Sequence, residues 1–138
     1  MAFAGTNYLA IVVAALAAMV LDAVYYSIFG RTWWRALGKS ESELRRRMRS
    51  PWAYLVGALG YLIMAVVLAG AIGHLGPGEV TPRNGVISGA ILWAGFLLTS
   101  ITMTAVFRGD KAVVVAIEVA FWLGVLMLQG LVIGLLGV

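Results

Sequence analysis

The chain has 138 residues, 62% of them hydrophobic and 12% charged, with a net charge of +4 and a mean hydropathy of +0.98. A water-soluble domain of this size needs far more charge on its surface, so the composition predicts a single membrane domain, residues 1–138, with no appended soluble module. Cysteine is absent and His74 is the one histidine, which excludes disulfides, thiolate metal sites and cysteine nucleophiles. No metal or cofactor is expected.

The N-terminal stretch Met1–Tyr8 carries no basic residue, and the apolar run from Leu9 to Phe29 is too long for the core of a secretory signal. It is expected to be a retained span. In chain order, four apolar segments are long enough to cross a membrane: about Ala4–Phe29, Pro51–Leu75, Asn84–Phe107 and Ala112–Val138. Each exceeds or approaches the ~20 residues that a helix needs to span the hydrocarbon. None alternates polar with apolar residues, so a lipid-exposed barrel is excluded. The predicted fold class is an all-α, integral membrane bundle of four transmembrane helices.

Orientation follows from the basic residues. Arg31, Arg35, Lys39, Arg45, Arg46, Arg47 and Arg49 lie in the first connection, Arg108 and Lys111 in the third, and only Arg83 in the second. That asymmetry predicts a plasma-membrane protein with loop 31–50 cytoplasmic and both termini outside. It also reads the positive charge as topology chemistry rather than a nucleic-acid-binding face.

Within the loop, Ser40 and Glu43 have capping-box spacing, and Glu41–Arg45 and Glu43–Arg47 are pairs four residues apart. A short amphipathic helix over Glu41–Arg49 is predicted at the lipid surface, anchored by Trp33, Trp34 and Trp52. Arg45, Arg46, Arg47 and Arg49 are candidates for contact with an anionic lipid or phosphate. The plain alternative is that they only set topology. The second connection, with its GPGEVTPRNG run, reads as a turn, and His74 beside it as a solvated residue.

Helix packing has its own signal. Gly85 and Gly89 form one GxxxG spacing, and Gly130 and Gly134 another at similar depth, predicting a close crossing of the third and fourth spans. Ala15, Ala18 and Asp22 share one face of the first span, which leads to the carboxylate.

Asp22 and Glu118 are the acidic residues inside predicted spans. Counted at ~1.5 Å per residue from the adjoining basic residues, Asp22 lies about 12 Å deep, Glu118 about 10 Å, Thr102 about 9 Å and Thr99 about 13 Å. Tyr26 and Trp122 border this layer, and Tyr61 of the second span is within reach of it. No lysine or arginine stands at that depth, so the two carboxylates cannot comfortably both carry charge. One reading is a proton- or cation-responsive site formed by Asp22 and Glu118, with Thr99, Thr102 and Tyr26 supplying neutral hydrogen bonds. The other is that the polar groups hold helices together. Gln129 continues the Glu118 face outward, as a polar path or another interhelical bond.

Asn7-Tyr-Leu-Ala-Ile-Val-Val-Ala-Ala-Leu, Tyr25-Tyr26-Ser27, Phe29-Gly30-Arg31 and Trp33, then Leu92-Trp93-Ala-Gly-Phe, Phe107-Arg-Gly and the stretch from Ile117 to Gly134, together resemble the family catalogued as domain of unknown function 1761. The resemblance spans nearly the whole chain. It implies a small four-helix membrane protein and carries no established activity. The family's pattern usually has a small residue where Asp22 stands, and often asparagine and histidine where Glu118 and Trp122 stand, so the two acids are departures from it.

These readings lead to a structural, interaction or lipid-binding bundle with membrane lipids as partners, self-association being compatible with it and a small-molecule or ion ligand left open. The alternative is a small proton- or cation-coupled transporter or channel using the Asp22/Glu118 pair. An enzyme is not expected, because no histidine, thiol or base-paired serine stands near the polar layer.

Overall fold

The computed structural model describes residues 6–138. They form five helices and, among the described residues, no strand. We label them α1 (Tyr8–Ala36), α2 (Glu41–Met48), α3 (Pro51–Gly73), α4 (Pro82–Arg108) and α5 (Ala112–Leu136). α1, α3, α4 and α5 are each long and apolar enough to cross a membrane. The expected start of the first span at Ala4 lies outside the described residues; its helix begins at Tyr8, capped by the Asn7 side chain, which accepts from the Ala10 N–H at 3.1 Å.

α1 runs two turns past the boundary expected at Phe29. Nothing in Gly30-Arg-Thr-Trp-Trp-Arg-Ala breaks a helix, and the stop comes where Gly38 takes a positive φ of 76°. There the Gly38 N–H bonds the Arg35 carbonyl and the Lys39 N–H bonds the Trp34 carbonyl, the Schellman closure of a helix end. α2 starts on Ser40, whose hydroxyl accepts from the Glu43 N–H at 3.3 Å. The Glu43 carboxylate faces Lys39 at 3.8 Å and not the expected Arg47, while Glu41 reaches both Arg35 at 3.3 Å and Arg45 at 4.0 Å.

α5 is the central helix. It packs against α4 on one side and α1 on another, and α3 closes on α1. Toward the chain termini, the core gathers Ile11, Ala14, Ala65, Leu68, Ala69, Ile72, Leu126 and Ile133. Nearer the α1–α2 connection it becomes Ala15, Ala18, Tyr61, Phe121 and Val125, so the small alanines of α1 let large aromatic rings fill the space beside them. At the terminal end, the Asn7 amide donates to the Leu136 carbonyl at 2.8 Å, tying the start of α1 to the end of α5.

The α4–α5 crossing is a backbone contact. A Cβ built on Gly85 would run into the Gly130 carbonyl, and one on Gly130 into the Gly85 carbonyl. One on Gly89 would meet the Leu126 carbonyl, and one on Gly134 the Thr81 carbonyl. Only glycine permits this approach.

Midway along, α4 contains a π-helical turn at Trp93–Leu97 that no sequence signal announced. Such a turn inserts one residue into the helical register. Continuing the Gly85/Gly89 face at 3.6 residues per turn would bring Phe96, Met103 and Phe107 onto α5, yet all three are exposed. With the extra residue, Ala105 is buried there, and Ser100 and Thr104 stand exposed at the edge.

Candidate functional site

The polar residues of the bundle divide into two centres joined by aromatic rings. In the first, Asp22 on α1 accepts the Tyr61 hydroxyl of α3 at 2.5 Å. The Tyr61 backbone carbonyl in turn accepts from the Gln129 amide of α5 at 2.9 Å. Gln129 is fully buried, and its Oε1 has no hydrogen-bond partner among the described residues. Asp22, Tyr61 and Gln129 thus tie three helices through a narrow polar seam. Glu118, about three turns before Gln129 on α5, is not part of it.

The second centre is Glu118 on α5. Its Oε1 accepts the indole N–H of Trp33 at 3.0 Å, which the long α1 carries to this depth. The carbonyls on either side of Glu118 are also claimed: Ile117 accepts the Tyr25 hydroxyl at 2.8 Å, and Val119 accepts the Trp93 indole N–H at 2.8 Å. Side chains from α1 and α4 therefore hold residues 117–119 from both flanks. A helix carbonyl with two lone pairs can take such a donor in addition to its ladder bond.

Between the centres runs a chain of ring contacts. Tyr61 meets Trp122 with centroids 6.1 Å apart, Trp122 meets Phe121 at 5.0 Å, Phe121 meets Tyr26 at 4.9 Å, and Tyr26 meets Trp33 at 5.4 Å. Tyr26 lies within Coulombic reach of both Glu118 and Asp22. Offset and edge-on pairs of this kind contribute about 0.5–1.5 kcal/mol each beyond their buried area. They also place apolar ring faces where a shared water-filled space would otherwise join the two acids.

Of the residues expected in the polar layer, Asp22, Glu118 and Tyr26 fall around this aromatic chain. Thr99 and Thr102 do not. Thr99 is exposed on α4, and its hydroxyl donates to the Gly95 and Phe96 carbonyls of its own helix at 2.8 and 3.1 Å. Thr102 is exposed as well. Depth placed them in the layer, but depth does not say which way a helix face points.

A cleft of ≈ 180 Å³ opens beside Glu118, lined on α4 by Ser100, Ile101, Thr104 and Arg108. Ser100, Thr104 and Arg108 were missed from the sequence, although their spacing of four residues marks one helix edge.

At the α1–α2 corner, the Trp34 indole donates to the Ser40 carbonyl at 2.6 Å and fixes how α2 leaves α1. Arg45, Arg46, Arg47 and Arg49 are all exposed. Glu41, Ser42, Arg45, Arg46 and Arg49 border an open groove of ≈ 490 Å³ along α2. Among the described residues, Arg46, Arg47 and Arg49 form no ion pair.

No curated protein and no solved structure matches the chain. A family model does, over residues 9–134, which is nearly the whole of α1 through α5. The chain belongs to that family, described as a protein of unknown function, DUF1761.

Proposed function

We propose that the chain is a multi-pass protein of the plasma membrane that acts as a structural, lipid-binding four-helix bundle, its α2 helix holding anionic headgroups at the cytoplasmic surface. Four helices of spanning length support the embedding. So do outward-facing apolar side chains such as Ile28 (66% exposed), Ile63 (62%) and Phe107 (90%), which hydrocarbon covers at no cost. Nine of the ten basic residues stand either between the last turns of α1 and the start of α3 or at the α4–α5 junction, which supports a cytoplasmic loop 31–50 and outer termini.

The observation that carries the lipid reading is the set of exposed arginines without an ion pair among the described residues, Arg46 and Arg47 on α2 and Arg49 at its end. Leu44 and Met48 lie four residues apart on that helix and form its apolar edge, while Arg45, Arg46 and Arg49 border the groove beside Glu41 and Ser42. Guanidinium groups without carboxylate partners are free for bidentate contact with phosphate oxygens. Near an anionic surface, each basic residue contributes about 1 kcal/mol. The transporter alternative needs Asp22 and Glu118 on one water path. It draws less support, since the cleft reaches Glu118 and not Asp22, and each acid has its own aromatic donor.

Thermal unfolding of the purified protein in neutral detergent tests the reading. Phosphatidylglycerol is expected to raise the midpoint more than phosphatidylcholine does, and the triple variant Arg46→Gln, Arg47→Gln, Arg49→Gln to lose that difference. An equal response to both lipids in the unaltered protein would refute it.

A further inference from the structure

α4 and α5 touch through their glycines at one end and part toward the other, leaving the cleft between Ser100, Ile101, Thr104 and Arg108 on one wall and Glu118 on the other. Glu118 stands six residues beyond Ala112, about 9 Å along its helix, and Ser100 and Thr104 stand about 12 and 6 Å back from Arg108 on theirs. The carboxylate is therefore level with the step between the two hydroxyls.

The charges of the cleft are unequally satisfied. Arg108, at the mouth, is taken: its Nε and Nη2 both donate to Asp110 Oδ2, at 2.9 and 2.5 Å. Glu118 accepts from Trp33, a neutral donor, and has no ion pair among the described residues. A carboxylate compensated by one neutral N–H in apolar surroundings still lacks its counter-charge. The Ser100 hydroxyl spends its proton on the Phe96 carbonyl at 2.6 Å, so it offers lone pairs to the cleft. Apart from the paired Arg108 guanidinium at the mouth, the polar groups of the walls, Ser100, Thr104 and Glu118, can all accept, and Glu118 has no ion pair among the described residues.

Size narrows the ligand further. The cleft is small and open, ≈ 180 Å³. That is less than the ~300 Å³ where drug-sized sites begin, and it suits a polar headgroup. Any apolar remainder would lie outside, along the exposed Met103 and Phe107 of α4.

We propose that this cleft binds the ammonium group of a small primary amine or of an amine-headed amphiphile, with Glu118 as its counter-ion and the Ser100 and Thr104 hydroxyls accepting its N–H donors. The site is separate from the arginine face of α2, whose chemistry selects anions.

The test is a titration of the purified full chain in neutral detergent with ethanolamine, octylamine and octanol, read as stabilisation against heat. Octylamine is expected to stabilise and octanol not. Ethanolamine acting as well as octylamine identifies a soluble amine as the ligand, and octylamine acting alone identifies an amphiphile. Glu118→Gln should weaken amine binding about tenfold or more, the loss of a charged hydrogen bond. Thr104→Leu fills the cleft from an exposed position and should weaken it similarly, while Asp22→Asn should not. Thr104→Leu decides the matter should Glu118→Gln fail to fold. Stabilisation by octanol equal to that by octylamine, no response to either amine, or amine binding unchanged in the cleft variants would overturn the proposal.

Discussion

Replacing Gly130 by alanine adds one methyl group at the α4–α5 crossing, and its cost can be worked from the backbone around it. The added Cβ would fall onto the Gly85 carbonyl, 2.6 Å from its carbon and 3.3 Å from the Val86 nitrogen. Carbon atoms in contact normally stay ~3.5–4.0 Å apart, so the helices must separate by about 1 Å. A gap of that size forfeits a quarter to a half of the dispersion energy of the atoms that line it. No side chain can swing aside, because the obstructing atoms are main chain. The expected loss is therefore at or above the upper end of the ~1–3 kcal/mol typical of overpacking. Gly57 supplies an internal control. It is also a helical glycine, in α3, yet a Cβ built there meets nothing within 4 Å. Gly57→Ala should leave stability level or raise it by about 0.5–1 kcal/mol through helix propensity alone. Unfolding of both variants in one detergent, by heat or denaturant, compares them directly. Equal midpoints for Gly130→Ala and Gly57→Ala would refute the close crossing.

Three other perturbations follow from the same geometry. Tyr61→Phe removes the donor that Asp22 accepts at 2.5 Å and should cost about 1–3 kcal/mol, whereas Asp22→Asn keeps an acceptor and should unfold near the unaltered midpoint; the reverse ranking would be inconsistent with the bond. Gln129→Met removes one hydrogen bond together with a buried, unpartnered oxygen, so its midpoint should stay within about 1 kcal/mol of the parent. Gln129→Glu should be far less stable, because it buries a carboxylate against the Tyr61 carbonyl; similar midpoints for these two variants would show that the side chain is not sealed in. The natural absence of cysteine permits single-cysteine labelling from outside intact cells: Gly78→Cys should react with an impermeant reagent and Ser42→Cys should not, and the opposite pattern would invert the proposed topology.

The long helices were legible because apolar residues dominate each run, and some of their ends because proline or glycine marks them. Pro51 opens α3 as expected, whereas α1 runs past the expected end at Phe29 and closes at Gly38. That misplacement hid the Trp33–Glu118 bond, since Trp33 was read as part of the surface loop instead of a further helical turn. The Gly85/Gly130 approach was legible from spacing, because only residues without a side chain make such spacing useful. The π turn was not, since Trp93-Ala-Gly-Phe-Leu differs in no evident way from an ordinary helical segment. Its added residue turns the part of α4 that follows, where Ala105 is buried while Met103 and Phe107 face outward. Rise along a helix orders residues along the bundle, but it does not specify the face they stand on. Asp22 found Tyr61 because both depth and face agreed.

The proposal that α2 holds anionic lipid is most directly tested by native mass spectrometry of the protein released from mixed micelles containing phosphatidylglycerol and phosphatidylcholine in equal amounts. The account predicts bound phosphatidylglycerol on the unaltered chain, and its loss when Arg46, Arg47 and Arg49 are all replaced by glutamine. Identical lipid adducts on the two proteins, or a preference for phosphatidylcholine, would contradict it.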